Sequence, residues 1–154
     1  MTIDTSTIVK GIIAGFAATV VLTLLMMLKK MMGVMPELDP VRMLAEMAAQ
    51  RTGMELNLMV GWVMHFVIGS IAWGSALVLL NDILPGNTQV MKGIGVGIAA
   101  WLLMMVGPLP MSGSGLFGLN IGIMVPVMTL VFHLVFGVVL GLVFKALGGT
   151  ETTT

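Results

Sequence analysis

Residues 123–144 read IMVPVMTLVFHLVFGVVLGLVF, an apolar run with no charged side chain and a single histidine, His133. A run of this length exceeds the roughly twenty residues that a helix needs to cross the hydrocarbon core of a bilayer. The chain contains four stretches of this kind, at about residues 8–32, 56–80, 91–107 and 123–146. The sequence therefore predicts an all-α membrane protein with four transmembrane helices.

The composition of the whole chain agrees with this prediction. Of the 154 residues, 58% are hydrophobic and 9% are charged, and the mean hydropathy is +1.10. Because one small core cannot bury so much apolar surface, we expect the lipid bilayer to surround the helices. The seven basic and seven acidic residues cancel, which leaves no basic field for nucleic acid. Without cysteine, the ligands available to a metal are histidine, methionine and carboxylate side chains.

A short helix is predicted between the first and second spans. Asp39 suits the N-cap position, Pro40 the first helical position and Gly53 the stop, so the helix covers residues 39–52. It is modestly amphipathic, which suits a helix that lies at the level of the lipid headgroups. Its more apolar side is predicted to carry Leu44, Met47, Ala48 and, at its end, Arg51.

The segment between the third and fourth spans differs in kind. Two prolines in three residues end the third span at residues 107–110, because proline removes a backbone donor. Residues 111–122 are glycine-rich, uncharged and apolar. An irregular backbone of that character must be covered by protein or must line a cavity near the interface.

An internal repeat organises the chain. Lys10–Ala18 and Lys92–Ala100 are identical at six of nine positions, and a His-x-x-x-Gly motif occurs in both the second and the fourth span. We therefore expect a single membrane domain over residues 1–154, with two halves at about 8–80 and 91–147. Each half has two spans, so the halves are predicted to be parallel two-helix repeats, with both termini on the same side of the membrane.

Five motifs together resemble a known family. They are Lys-Gly-Ile-Ile-Ala-Gly-Phe at 10–16, Met-Pro-Glu-Leu-Asp at 35–39, Gly-Trp-x-x-His-Phe-x-x-Gly at 61–69, Gly-Leu-Phe-Gly-Leu at 115–119 and His-Leu-x-Phe-Gly-x-x-Leu-Gly at 133–141. The combination resembles a family of small bacterial four-span integral membrane proteins of unknown function. The resemblance implies the fold and the membrane location, and it implies no activity.

His65 and His133 are the only histidines, and each lies inside a predicted span. An ionisable side chain at membrane depth is costly, so each is a candidate functional residue. Each lies about nine residues into its helix, a rise of roughly 13 Å, which puts the two at the same depth. In a four-helix bundle the second and fourth helices would be diagonal neighbours roughly 12–14 Å apart, a separation that suits two imidazoles sharing one iron.

The leading hypothesis is therefore one b-type haem with His65 and His133 as the metal ligands. Glycines flank the histidines at spacings of four residues, which leaves room for a flat macrocycle; they are Gly61, Gly69 and Gly137. Arg42 and Arg51 of the predicted interfacial helix are candidates for binding the haem propionates.

Two other interpretations remain open. In the first, the glycines make close helix crossings and the histidines only form hydrogen bonds, as in a non-catalytic accessory or scaffold subunit of a larger membrane complex without a cofactor. In the second, the protein handles Cu(I). The chain is methionine-rich, with 17 methionines, and Met27 and Met31 could bind Cu(I) if they face inward.

The haem hypothesis predicts an electron-transfer subunit in a bacterial inner (cytoplasmic) membrane. One haem cannot carry an electron across about 30 Å of hydrocarbon, so a redox partner protein or a quinone is expected. The chain has no phosphate-binding loop, nucleophile elbow or metalloprotease motif, so we expect no independent catalytic activity. A homo-oligomer could also form the site between chains.

Overall fold

The structure is a computed structural model that describes residues 3–149. Within this range the chain forms five helices and no strand. They are α1 (Thr5–Met31), α2 (Pro40–Thr52), α3 (Leu58–Leu79), α4 (Gln89–Val106) and α5 (Val125–Ala146). Two single helical turns, Pro108–Met111 and Leu116–Gly118, follow α4. The predicted domain, residues 1–154, extends beyond the described residues at both ends.

The four predicted spans are confirmed as helices that could cross a membrane. Helices α1, α3 and α5 are long and apolar enough to span a bilayer. The same holds for α4 when the helical turn that follows it is included, Gln89–Met111. The first proline of the predicted stop, Pro108, begins a new helical turn directly after Gly107, so the chain bends there and remains helical for four more residues. The chain is thus an integral multi-pass membrane protein in contact with lipid.

Helix α2 has the predicted ends and a different packing face. The Asp39 carboxylate accepts a hydrogen bond from the Arg42 backbone N–H at 3.1 Å, and Gly53 ends the helix with a φ of 70°. The buried residues of α2 are Val41 and Ala45. They pack against Gly61 at the start of α3, where the Val41 carbonyl occupies the place of a side chain. The predicted apolar side, Leu44 with Met47 and Ala48, is only half-buried.

The helices form a bundle with one loosely packed side, the side between α3 and α4. Helix α1 packs against α3 and α5, and α4 packs against α5. Helices α3 and α4 touch mainly through the last turns of α3, Gly74–Leu79. The second and fourth spans, α3 and α5, therefore lie on a diagonal, as the sequence predicted. The parallel-repeat relationship between the halves stays a prediction.

Glycines make the close crossings in this bundle. A Cβ atom on Gly15 of α1 would lie 2.7 Å from the Ser70 carbonyl oxygen of α3, and one on Gly93 of α4 would lie 2.8 Å from the Gly141 nitrogen of α5. A Cβ on Gly97 of α4 would meet the carbonyl of His133. Only glycine permits such approaches, which is the usual role of small residues between membrane helices.

The end of the bundle that contains both termini of the described chain is closed by a packed core and a polar network. The core contains Leu77, Val78, Phe136, Leu140 and Phe144. Beside it, Asn81 donates to the Gln89 side chain at 2.8 Å, and Lys92 donates to Asn81 at 2.9 Å. All three polar residues are buried. Space between the helices is therefore left at the opposite end, where α2 lies.

A π-helical segment, Val67–Trp73, interrupts α3 just after His65. The sequence patterns did not predict it. Segments of this type occur frequently at functional sites, because the wider turn changes which side chains face a neighbouring helix. In α3 four residues of this segment line the same cavity as His65: Ile68, Gly69, Ala72 and Trp73.

Candidate functional site

A cavity of about 350 Å³ lies between α1, α3, α4 and α5 at the α2 end of the bundle. His65 of α3 and His133 of α5 both line it. Its other walls are almost wholly apolar, with Phe132 and Met104 among them. A volume of this size falls within the range of about 300–1,000 Å³ that is typical of small-molecule sites.

The cavity opens on the loose side of the bundle. Ile68 of α3 and Leu103 of α4 line the cavity and are also exposed on the outer surface. These two helices do not pack together at this level. Since the outer surface of the spans contacts lipid, this opening faces the bilayer.

The two histidines lie at matching depths. His65 is the eighth residue of α3 and His133 the ninth residue of α5, and both helices begin at the α2 end. The corresponding rises are about 11 and 12 Å. The structure thus brings the predicted ligands to one cavity at one level, on diagonal helices.

His133 has a defined tautomer. Its Nδ1 lies 2.8 Å from the Thr129 carbonyl oxygen, one turn earlier on α5. A carbonyl can only accept, so Nδ1 carries the proton and donates, which leaves the lone pair on Nε2. Metal-bound histidines commonly have this arrangement, in which one ring nitrogen donates to the protein and the other binds the metal.

The neighbours of His133 hold this orientation. The Thr129 hydroxyl donates to the Val125 carbonyl at 2.6 Å, and the Trp101 indole N–H donates to the Thr129 hydroxyl at 3.2 Å. Trp101 also donates to the Pro126 carbonyl at 3.1 Å. A side chain from α4 therefore fixes the turn of α5 on which His133 depends.

His65 has the opposite tautomer. Its Nε2 lies 3.1 Å from the Thr23 hydroxyl oxygen of α1. The Thr23 hydroxyl donates its only proton to the Thr19 carbonyl at 2.8 Å. Both contacts form together when Thr23 accepts from His65, an arrangement that puts the proton of this imidazole on Nε2 and the lone pair on Nδ1. If His65 binds a metal through Nε2, it first has to release Thr23.

The three candidate glycines have different surroundings. Gly69 lines the cavity and lies against Thr19. Gly61 lies under α2, and Gly137 lies in the crossing with Gly93 of α4. The structure therefore brings Gly69 to the histidines, while Gly61 and Gly137 serve helix packing outside the cavity wall.

The candidate arginines do not line the cavity. Arg42 is exposed and donates to the Glu46 carboxylate at 2.8 Å, which raises the pKa of Arg42 above its ordinary value. Arg51 is exposed in the last turn of α2. The cation that does line the cavity is Lys29, near the end of α1, and its residue is only 8% exposed.

Sequence reasoning missed Lys29 and Thr23 as site residues. A lysine in the last turn of a membrane helix is ordinarily expected to reach lipid phosphate, and threonine is common in such helices. One signal was available: Thr19 and Thr23 are spaced by four on an otherwise apolar helix, so they form a polar stripe that faces the bundle.

The methionines proposed for copper do not face inward. Met27 is 52% exposed and Met31 is 85% exposed. The methionines that line the cavity are Met26, Met43 and Met104. Among residues 3–149, no group of three or more histidine or carboxylate side chains is close enough together to hold a metal ion. The condition on which the Met27 and Met31 hypothesis depended is thus not met.

These features define a class of protein, a four-span helical membrane protein with a ligand-sized cavity lined by two histidines. The chain belongs to the DUF6789 family, a family of unknown function whose model matches residues 5–154. No curated protein and no solved structure matches the chain. Family membership agrees with the resemblance in the motifs to a family of unknown function and assigns no activity, and the bacterial origin stays a prediction.

Proposed function

We propose that this protein binds one b-type haem between His65 and His133 and acts as an electron-transfer subunit of its membrane. The observation that carries the proposal is the position of both histidines on one apolar cavity, at one depth and on diagonal helices. The free Nε2 lone pair of His133 supports it further.

Two changes accompany haem binding under this proposal. The cavity is narrow for a macrocycle, so α3 and α4 move apart on the side where they do not pack together. His65 would hold the iron through Nε2, which requires the release of its hydrogen bond with Thr23. The apolar walls exclude water, and His133 is already oriented by Thr129.

The bound haem would supply one-electron chemistry, and the chain would supply its position and its apolar surroundings. The histidines lie about 11–12 Å from the α2 end of the spans, so one haem serves one face of the membrane. A second redox group is needed on the other side of the electron transfer, either in a partner protein or as a quinone. We expect the inner membrane of a bacterium as the location.

Absorbance spectroscopy tests the proposal. Protein purified in a non-ionic detergent is titrated with ferric haem, alongside His65→Ala, His133→Ala and the control Met64→Leu. Met64 is next to His65 and does not line the cavity. We expect a Soret band with low-spin features in the unsubstituted protein and in the control, and its loss in both histidine variants. Haem uptake that survives both histidine substitutions, or no uptake by the unsubstituted protein, contradicts the proposal.

A second candidate, the accessory or scaffold subunit, is favoured by one observation. In the described part of the chain every buried side-chain nitrogen and oxygen has a hydrogen-bond partner, the two histidines included. A purely structural role thus accounts for one hydrogen bond of each imidazole. It predicts a colourless, stable protein in which His65→Ala and His133→Ala lower the free energy of unfolding and change no cofactor content.

A further inference from the structure

Lys29 is a buried cation at the end of the histidine-lined cavity nearest α2. Its residue is 8% exposed, and it lines the cavity together with Leu38 of the loop that leads into α2 and Pro40, the first residue of α2. A charged ammonium is rarely removed from water without an opposite charge beside it, because the desolvation is costly.

Among residues 3–149 no carboxylate forms an ion pair with Lys29. The Lys29 Nζ donates to the backbone carbonyls of Met35 at 2.8 Å and of Leu38 at 2.6 Å. The Asp39 carboxylate pairs with Lys30 at 3.3 Å, and it acts on Lys29 only at longer range, as does Glu37. The ammonium has three N–H donors, so one remains for a further partner.

The two carbonyls explain where Lys29 lies and leave its charge unbalanced. They hold the turn between α1 and α2 against the end of α1, which a neutral donor could also do. Carbonyl oxygens carry partial charges, whereas a carboxylate would neutralise the ammonium and form a charge-assisted hydrogen bond.

The position of Lys29 relative to the histidines also suits a ligand with an acidic end. Lys29 lies six residues beyond Thr23 on α1, and Thr23 contacts His65. The rise between these positions is about 9 Å towards the α2 end. A ligand held at the level of the histidines can therefore extend an acidic side chain to Lys29.

We propose that Lys29 binds a carboxylate of the ligand in the histidine-lined cavity. The identity of that carboxylate as a haem propionate rests on the function proposed above. A fatty acid taken up from the bilayer would present the same chemistry, a carboxylate on an apolar body. The experiment has separate arms for the two sources.

The first arm compares ferric protoporphyrin IX with its dimethyl ester, which lacks the negative charges. Binding is measured by absorbance titration in non-ionic detergent for the unsubstituted protein, Lys29→Gln, Lys29→Arg and Lys30→Gln. Glutamine retains N–H donors for the two carbonyls and removes the charge, whereas arginine retains the charge. Lys30 is the matched control, since it is adjacent, exposed and outside the histidine-lined cavity.

We expect the unsubstituted protein to bind the free acid at least about tenfold more tightly than the ester. Lys29→Gln should bind both forms with the affinity of the ester, and Lys29→Arg and Lys30→Gln should retain the preference. Because the ester serves as a control within each variant, a misfolded variant would lose both ligands. Two outcomes overturn the inference and leave the haem proposal intact. In the first, the unsubstituted protein binds acid and ester with equal affinity. In the second, Lys29→Gln still binds the acid more tightly than the ester.

The second arm replaces haem with cis-parinaric acid, a fluorescent fatty acid, and its methyl ester. If neither porphyrin binds, the haem proposal fails, and this arm alone decides the role of Lys29. The inference is supported if the protein binds the acid, if Lys29→Gln weakens that binding and if Lys30→Gln leaves it unchanged. Absence of binding, or equal binding of acid and ester, overturns it.

Discussion

The hydrogen bond between His65 and Thr23 gives the sharpest test of whether His65 is a ligand or a structural residue. Thr23→Val removes the hydroxyl and keeps the shape of the side chain, while Thr23→Ser keeps the hydroxyl. The valine variant loses two hydrogen bonds, the one that the Thr23 hydroxyl donates to the Thr19 carbonyl at 2.8 Å and the one with His65 Nε2 at 3.1 Å. The Thr19 carbonyl still accepts the helical backbone N–H of residue 23, and a double-mutant cycle with His65 isolates the second bond.

The magnitude follows from the location of this bond in the membrane domain. Side-chain hydrogen bonds between membrane helices contribute about 0.6 kcal/mol on average and up to about 1.7 kcal/mol. Thr23 is 8% exposed, and within residues 3–149 it is the one hydrogen-bond partner of the His65 Nε2, so a value near the middle, about 1 kcal/mol, applies. This corresponds to roughly a fivefold change in an equilibrium constant.

The assay has two parts. First, unfolding of the apoprotein is followed by circular dichroism as SDS is added to non-ionic detergent, in a double-mutant cycle of Thr23→Val and His65→Phe. We expect a coupling of about 1 kcal/mol. Second, haem affinity is measured for Thr23→Val and Thr23→Ser. If iron replaces Thr23 as the partner of His65, the valine variant loses stability in the apoprotein alone, so it binds haem roughly fivefold more tightly.

The outcomes separate the two interpretations. No coupling in the apoprotein refutes the hydrogen bond on which the tautomer assignment rests. Coupling together with unchanged haem affinity in Thr23→Val means that His65 keeps its bond to Thr23 in the holoprotein, which refutes binding of the iron through His65 Nε2. Thr23→Ser should match the unsubstituted protein in both measurements.

Two further predictions concern packing and copper. Gly97→Ala should lower the free energy of unfolding by about 1–3 kcal/mol in the same SDS assay, because its Cβ meets the backbone of His133 on α5. Gly95→Ala is the matched control on α4, since its Cβ would have an ordinary contact at 3.5 Å, and it should be neutral or stabilising by up to about 1 kcal/mol. The double variant Met27→Leu with Met31→Leu should retain any copper that the purified protein binds, as measured by atomic absorption, because both side chains are exposed. Loss of copper in that variant would restore the Cu(I) hypothesis.

The local part of the fold was predictable from the residues themselves. The ends of α2 depend on Asp39 and Gly53, whose capping chemistry is set by a few adjacent residues. The spans were predicted to within a few residues, because a membrane helix must satisfy its own backbone groups over a length that the bilayer sets. Matched depth of the two histidines followed from the same counting.

The site was predictable only in part. The histidines and Gly69 were recognised because an imidazole in an apolar helix is unusual. Which carbonyl or hydroxyl each ring would meet depends on helix rotation, and glycine spacing cannot distinguish a wall of the cavity from a helix crossing. Lys29 was overlooked because its burial arises from the folded loop between α1 and α2, which supplies its two carbonyl partners.

The amino-acid sequence by itself thus determined the four membrane spans and the approximate start of each helix. It also determined that the two imidazoles lie at one level. Sequence suffices for these features because hydropathy, length and capping are local properties. The tertiary structure alone decided that α3 and α4 do not pack together at that level and so leave a cavity, and that the cavity has a buried ammonium at one end. The physical reason is that close packing at glycines draws α1 against α3 and α4 against α5. Where the remaining space lies depends on the fit of all the helices at once.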